Sequence, residues 1–289
     1  MIKVLIKNPM WFLRLKKIKF IGDVIAFYIP SLREIKDEKI YSEIITNLRY
    51  GHTTGKDTKS DRFADLDNIL DLLPDEGLRI HDVGCSSGVT SLDLKQSLDI
   101  KGKKFLLTIS DRFLEVFYIG RTIKYIYDCE SNLRQIYFGR ILCDNELMGL
   151  FFVSRFLFKF LSLFIRKSHQ ADLLERISLV DPQVQNCIDL DELEARYYNI
   201  FDHDETSTYN FIRCMNLLNQ SYFSDEKISV GLSNLIEALE YKGFLQIGRT
   251  DIDGVNRVSV YQKGVQGLVP ILLVNGGSEI QDLLTILEK

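Results

Sequence analysis

The 289-residue sequence has no C-x-x-C pair: its five cysteines, Cys85, Cys129, Cys143, Cys187 and Cys214, are odd in number and widely scattered. They offer no disulfide framework and fit a reduced, cytoplasmic interior. No long basic run occurs in the second half and the formal net charge is −4, which argues against a dedicated nucleic-acid binder. The basic N-terminus lacks an uninterrupted apolar core ending in small residues, so no signal peptide is expected. Repeats and low-complexity tracts are missing too. The longest apolar stretch, "LMGLFFVSRFLFKFLSLFIRK" at 147–167, is interrupted by Arg155 and Lys159, whose charges would be costly at a bilayer centre.

What is present is ample apolar material, 46% of residues, enough for one large domain or a core with an appendage. Charge is unevenly placed. The first twenty residues carry Lys3, Lys7, Arg14, Lys16, Lys17 and Lys19 with no acid, either a footprint facing something negative or a solvated helix face. In 147–167 the polar residues Arg155, Lys159, Ser162 and Arg166 are spaced by four, three and four. That spacing draws one narrow stripe on an amphipathic helix with a broad Phe/Leu face opposite. The helix is read as packing on the domain or as a lid over an apolar substrate, ahead of contact with a membrane.

Along the chain, residues 1–72 read as helical, from "EKIYSEIITNL" and "FADLDNILDLL" on either side of the polar loop "GHTTGKDTKSD". "LRIHDV" reads as a strand, "VTSLDLKQSL" as a helix, "KKFLLTIS" as a second strand ending at Asp111, and 112–178 as a helical insertion. "ARYYNIF" and "TYNFIRCMNLL" supply strands three and four. A helix opened by Ser224 or Asp225 and closed by Gly243 precedes "FLQIGRT", and "RVSVYQKG" with "LVPILLV" suggests a closing pair. Strands alternating with helices imply a doubly wound, mostly parallel sheet of about seven strands, which binds ligands beyond the carboxyl ends of its strands.

The turn "IHDVGCSSGVT", residues 80–90, is the most informative stretch. Small residues leading into a helix expose unpaired N–H groups and a partial positive charge, a setting for an anion. It has no Gly-Lys-Ser/Thr ending, so it is not a P-loop, and only Gly84 and Gly88 of a G-x-G-x-x-G fingerprint.

Asp82, Gly84, Ser86 and Gly88 resemble the first motif of class I S-adenosylmethionine-dependent methyltransferases, with Ser86 where a central glycine is usual. The Gly-Cys-Ser-Ser-Gly form is similar to the subgroup of chemotaxis-receptor (protein carboxyl) methyltransferases. Asp111 in "TISDRF" is placed like the acid that binds the ribose hydroxyls, and "YYNIFD" like the segment that contacts adenine, with Asn199 and Ile200 at that contact. Residues 211–250 are similar to that subgroup's Arg-Asn-containing fourth strand, its Tyr-Phe pair and its helix ending in a Gly turn. The likeness covers roughly 75–275, with the Phe-rich insertion between, and leaves out the first fifty residues. It implies a Rossmann-like fold, an N-terminal helical cap over 1–72, a methyltransferase core over 73–289 and S-adenosyl-L-methionine as cofactor. The implied cofactor contacts are Asp82, Gly84, Cys85, Ser86, Gly88, Asp111, Asn199, Ile200 and Arg213, with Asp82 fixing the loop or reaching the cofactor's ammonium group. No metal is implied.

Methyl transfer needs chiefly alignment and desolvation, because the cofactor carries the activated carbon; a general base is optional. Asp202, His203, Asp204, Arg213, Asn216, Asn219 and Tyr222 lie at the ends of strands three and four and are the candidates to face the acceptor. His203 is a general-base candidate or a polar loop residue. Arg213 is a clamp for a substrate carboxylate, or the partner of Asp202 or Asp204 in a structural ion pair. Asn216 and Tyr222 line the pocket or brace the strand. The expected function is methylation of a small, apolar or lipid-like acceptor, with O-, N- and C-methylation all open. The alternatives are protein carboxyl (glutamate-type) methylation and a non-catalytic, cofactor-binding partner subunit. The expected location is cytoplasmic; peripheral contact with the inner membrane surface and homo-oligomerisation stay open.

Overall fold

The structure, a computed structural model, describes residues 59–120, 123–138, 141–144, 152–163, 175–202 and 206–286. The cap expected over 1–72 lies outside these residues except for its end, where Ala64–Leu72 forms a 3-10 helix that buries Leu66, Ile69 and Leu70. The chain divides into two compact units, one built from Lys59–Arg112 and Gln183–Lys289, the other containing Phe113–Pro182.

The first unit is a Rossmann-like fold around a seven-stranded sheet. Its elements are β1 (Leu78–Val83), α1 (Val89–Ile100), β2 (Phe105–Asp111), α3 (Pro182–Asp189), β8 (Glu194–Tyr197), β9 (Tyr209–Met215), α4 (Asp225–Ala238), β10 (Leu239–Thr250), β11 (Asn256–Gly264), β12 (Gly267–Val274) and α5 (Gln281–Ile286). The strand order is β12-β11-β10-β9-β1-β2-β8. The run from β10 to β8 is parallel, and β11 and β12 add an antiparallel pair, as the sequence suggested.

β1 and β9 are central, and each is buried along nearly its whole length, the pattern of a strand covered on both faces. From β1 the chain winds through α1 to β2; from β9 it winds through α4 to β10, in the opposite direction across the sheet. Right-handed crossovers then put α1 and α4 on opposite faces. On the α4 face, Ile228, Leu232 and Leu235 pack with Ile212 and Cys214 of β9 and Leu245 and Ile247 of β10. The winding reverses between β1 and β9, so the ligand crevice of such a sheet opens beyond their carboxyl ends.

The helix expected to end at Gly243 stops at Ala238 and passes directly into β10. Gly243 instead lies inside β10, where a Cβ would come within 3.0 Å of the Glu240 carbonyl oxygen and 3.1 Å of that of Asn210. Lys263 Nζ donates to the carbonyls of Ile236 and Leu239, both at 2.6 Å, so a side chain from β11 closes the helix in place of a glycine turn.

The second unit corrects the reading of 112–178 as helical. Its described residues form a five-stranded antiparallel sheet, β6-β5-β4-β3-β7, from β3 (Glu115–Ile119), β4 (Ile123–Tyr127), β5 (Leu133–Phe138), β6 (Ile141–Asp144) and β7 (Glu175–Ser178). One helix of the expected stretch is present, α2 (Phe152–Ser162). β-Branched and aromatic residues at period two decide it: Ile123, Tyr125 and Tyr127 share one apolar cluster with Ile136 and with Phe158 of α2. Buried Asp128 fixes the β4–β5 turn, accepting from the backbone N–H groups of Glu130 (2.9 Å) and Asn132 (2.8 Å) and from Arg134 Nε (2.7 Å).

His81 of β1 is fully buried, with Nε2 2.8 Å from Ser110 Oγ and its ring against Tyr198 and Tyr209. Burial, and secondarily the Arg196 cation, pull its pKa from 6.5 down to about 3. The unfolded chain therefore takes up a proton near pH 6.5 that the folded chain refuses. Stability is complete above that value and declines as the pH falls toward 3, by about 1 kcal/mol per pH unit. Urea unfolding at pH 7 and pH 5 should show this loss in the parent and a smaller one in His81→Gln; equal pH dependence in the two would overturn the assignment.

Candidate functional site

The turn between β1 and α1 folds over the end of β2. The Gly84 and Cys85 amides donate to the Ser110 carbonyl at 2.8 and 2.9 Å, and the Ser86 amide donates to Asp111 Oδ2 at 2.8 Å. Three residues of the turn have left-handed backbone: Gly84 (φ 78°), Ser86 (φ 61°) and Gly88 (φ 87°). At the two glycines space also forbids a side chain, since a Cβ would meet Leu217 at 3.0 Å over Gly84 and Val184 at 2.8 Å over Gly88. Gly88 is the N-cap of α1 and no side chain caps that end. The helix therefore starts with open N–H groups and the positive end of its dipole. Ser87 Oγ is buried beside it with no hydrogen-bond partner among the described residues, a group the quoted turn contained and the sequence reading passed over.

Beneath the turn lies a buried ion pair. Asp82 and Arg213 are register partners on β1 and β9. Arg213 donates through Nε to Asp82 Oδ1 (2.9 Å) and through Nη2 to Asp82 Oδ2 (2.6 Å), and Nη2 also reaches the Thr90 carbonyl (2.8 Å). Ser91 Oγ donates to the same carboxylate, and the guanidinium lies 5.5 Å from the Phe63 ring centroid. One expectation is corrected. Arg213 is not placed to clamp a substrate carboxylate, because its fork is closed on Asp82. Of the two readings of Asp82, its bonds match the one that fixes the loop: at 3% exposure it is held by Arg213 and Ser91.

The other expected residues are distributed around the carboxyl edge. Asp111 ends β2, and its carbonyl accepts from the Tyr198 amide at 3.3 Å, tying it to the segment after β8. In that segment Asn199 accepts through its carbonyl from Asp202 N (2.9 Å) and through Oδ1 from Phe201 N (3.4 Å). The Ile200 carbonyl accepts from Asn234 Nδ2 of α4 at 2.9 Å. Cys85 is 4% exposed, so its contribution to the surface of the turn is backbone. Asn216 braces the sheet: its amide donates to the Gly248 carbonyl (2.9 Å) and its Oδ1 accepts from Thr250 N (2.7 Å). Asn219 Oδ1 accepts from Ser221 N at 3.0 Å, which shapes the loop carrying Tyr222. Tyr222 is half exposed and stands edge-on to Phe223. His203 and Asp204 lie outside the described residues.

A feature the sequence reading missed sits beside that loop. Phe223 packs edge-on to Phe201 at 5.0 Å, and Lys227 Nζ lies 4.6 Å from the Phe201 centroid and 5.4 Å from that of Phe223. Phe223 and Lys227 stand four residues apart, and the fold brings Phe201 to them.

No family model and no curated protein matches the chain. Among solved structures it is similar to the citrinin polyketide synthase CMeT domain, at 13% identity over 63% of this chain and 32% of that one, with a TM-score of 0.32. It is also similar to a SAM-dependent methyltransferase from Methanosarcina mazei, at 14% identity over 62% of this chain and 55% of that one, TM-score 0.30. A third is a putative protein-L-isoaspartate O-methyltransferase from Plasmodium falciparum in complex with S-adenosyl-L-homocysteine, at 13% identity over 94% of this chain and 97% of that one, TM-score 0.37. The chain thus spans less than two thirds of the length of the first two. Likeness at this level assigns no activity, and none of the three names points to the chemotaxis-receptor subgroup.

Removing one member of the buried pair should be severe. Arg213→Met leaves the Asp82 carboxylate in the interior without its cation and should cost about 3–5 kcal/mol in urea unfolding. Stability near that of the parent would mean that Arg213 does not hold this part of the sheet.

Proposed function

We propose that this chain binds S-adenosyl-L-methionine at the β1–α1 turn and transfers its methyl group to a small, apolar or lipid-like acceptor. The observation that carries the reading is the arrangement of that turn: two glycines whose Cβ positions are filled by neighbours, an uncapped helix N-terminus, a buried unpartnered Ser87 hydroxyl, and Asp111 hydrogen-bonded to the Ser86 amide. An amino-acid carboxylate suits the open amides of α1, and an acid at the end of β2 suits vicinal hydroxyls. When bound, S-adenosylmethionine supplies a methyl group already activated on a sulfonium.

What this chain's residues contribute is position and exclusion of water. Gly84 and Gly88 let the backbone approach a ligand closely, the Asp82–Arg213 pair keeps α1 in register above β1 and β9, and Asp111 serves loop and ligand with one carboxylate. The apolar acceptor class rests on the Phe-rich stretch 147–167. The transfer leaves S-adenosylhomocysteine and releases the acceptor's proton to solvent or to a base; O-, N- and C-methylation stay open, and all three demand alignment and desolvation of the acceptor. Protein carboxyl methylation is the weaker reading, since Arg213, its expected carboxylate clamp, is committed to Asp82.

Calorimetric titration with S-adenosylmethionine and S-adenosylhomocysteine tests the reading. Asp111→Ala should weaken binding by about 1–3 kcal/mol, roughly five- to 150-fold. Asp111→Asn, which keeps an acceptor for the Ser86 amide, should bind better than the alanine variant. No binding by the parent, or equal binding by Asp111→Ala, would remove the turn from the site; transfer of labelled methyl to an extractable apolar acceptor separates an enzyme from a binding subunit.

A further inference from the structure

The seven-stranded sheet ends on two unlike edges. At one end stands β8, four residues long, with Glu194 and Arg196 among them. At the other stands β12, eight residues and about 26 Å long, which among the described residues pairs only with β11. Residues 264–278 carry no charged side chain. Short length and charge are two ways in which an edge is kept from pairing with other strands, and β12 has neither.

The side chains that β12 leaves in solvent are apolar. Val269, Ile271 and Leu273 are 53%, 42% and 51% exposed, and Val265 in the β11–β12 turn is 85% exposed. Pro270 brings no N–H to the edge, and the register against β11 shifts beside it, with Tyr261 opposite Pro270 and Val260 opposite Leu272. The open ladder is therefore confined to 267–269 and 272–274, on either side of that irregularity.

Chemistry selects the occupant. Open backbone N–H and C=O groups need hydrogen-bonding partners, which the hydrocarbon of a membrane does not offer and another strand does. Two copies of a chain of formal net charge −4 repel one another, and an uncharged edge is where they approach at least cost. A two-fold contact sets this strand against itself with no like charges facing, and it uses the edge up, so that association stops at two copies.

We propose that β12 is the edge through which two copies of this chain pair about a two-fold axis. Val269, Ile271 and Leu273 of one protomer pack against the same strand of its partner, and ladder hydrogen bonds form beside Pro270. The proposal is independent of the methyl-transfer reading.

Light scattering on the full chain, with its concentration raised from about 1 to about 100 µM, should show a monomer giving way to a dimer. Hydrogen exchange followed by mass spectrometry over the same range locates the contact. Peptides covering β12 should exchange at least about tenfold more slowly in the dimer, and those covering β8 should not change. Ile271→Lys/Leu273→Lys places ammonium groups on both facing edges and should weaken dimerisation at least about tenfold. Ile100→Lys, which puts the same charge on an exposed residue at the end of α1, should dimerise like the parent. Should the double variant fail to fold, Val269→Lys and the exchange of the parent decide. The proposal is overturned by a parent that stays monomeric throughout, which would leave the edge to a different partner. A dimer whose β12 peptides exchange as they do in the monomer, growth of the parent beyond a dimer, or folded β12 lysine variants that dimerise like the parent would overturn it as well.

Discussion

The bidentate pair between Asp82 and Arg213 underlies the candidate site. Taking two charges out of water is expensive, and the cost is offset only where geometry is good and the remaining donors are satisfied. Both conditions hold here. The fork meets both carboxylate oxygens, Thr90 takes a further N–H, Ser91 donates to the carboxylate, and Phe63 lies beside the guanidinium. The pair joins β1 to β9 at the point where the sheet reverses its winding, and it ties the first turn of α1 down onto both strands. One interaction thus fixes the strand on each side of the crevice and the helix whose N-terminus faces it.

The turn above that foundation inherits its shape. Ser110 gathers two amides of the turn on one carbonyl, and Asp111 holds a third through its side chain, so the end of β2 and the start of α1 are a single hydrogen-bonded unit. Such a site can be preorganised before any ligand arrives, which is what a reaction governed by alignment requires. The same arrangement explains why residues that look chemical in sequence are structural in space. Arg213 and Asn216 both follow a motif-like pattern, yet each spends its hydrogen bonds on neighbouring strands.

The two units differ in how plainly the chain announced them. In the larger one, short apolar runs bounded by turn signals gave β1, β2, β9 and the closing pair, because strands covered on both faces show as unbroken apolar runs. In the smaller one, a stretch dense in Phe, Ile, Leu and Tyr was consistent with helix or strand when read for apolar content alone. The strand signal there is the period-two alternation of Ile123, Tyr125 and Tyr127, a short pattern beside the helical, Phe-rich segment of α2. The helix end at Ala238 was not legible at all, since the group that closes it, Lys263, comes from a strand 24 residues beyond Leu239.

The sequence by itself determined the mostly parallel sheet, the small-residue turn after β1 and the acid ending β2, because each follows from local conformational preference and short-range spacing. Tertiary structure alone decided that Arg213 belongs to Asp82, that Leu217 and Val184 fill the space above Gly84 and Gly88, and that Phe201 joins Phe223 and Lys227. It also decided which side of α2 meets the sheet. These are contacts between residues distant in the chain, and a charge, a ring or a methyl group finds its partner there by three-dimensional proximity that no local pattern encodes.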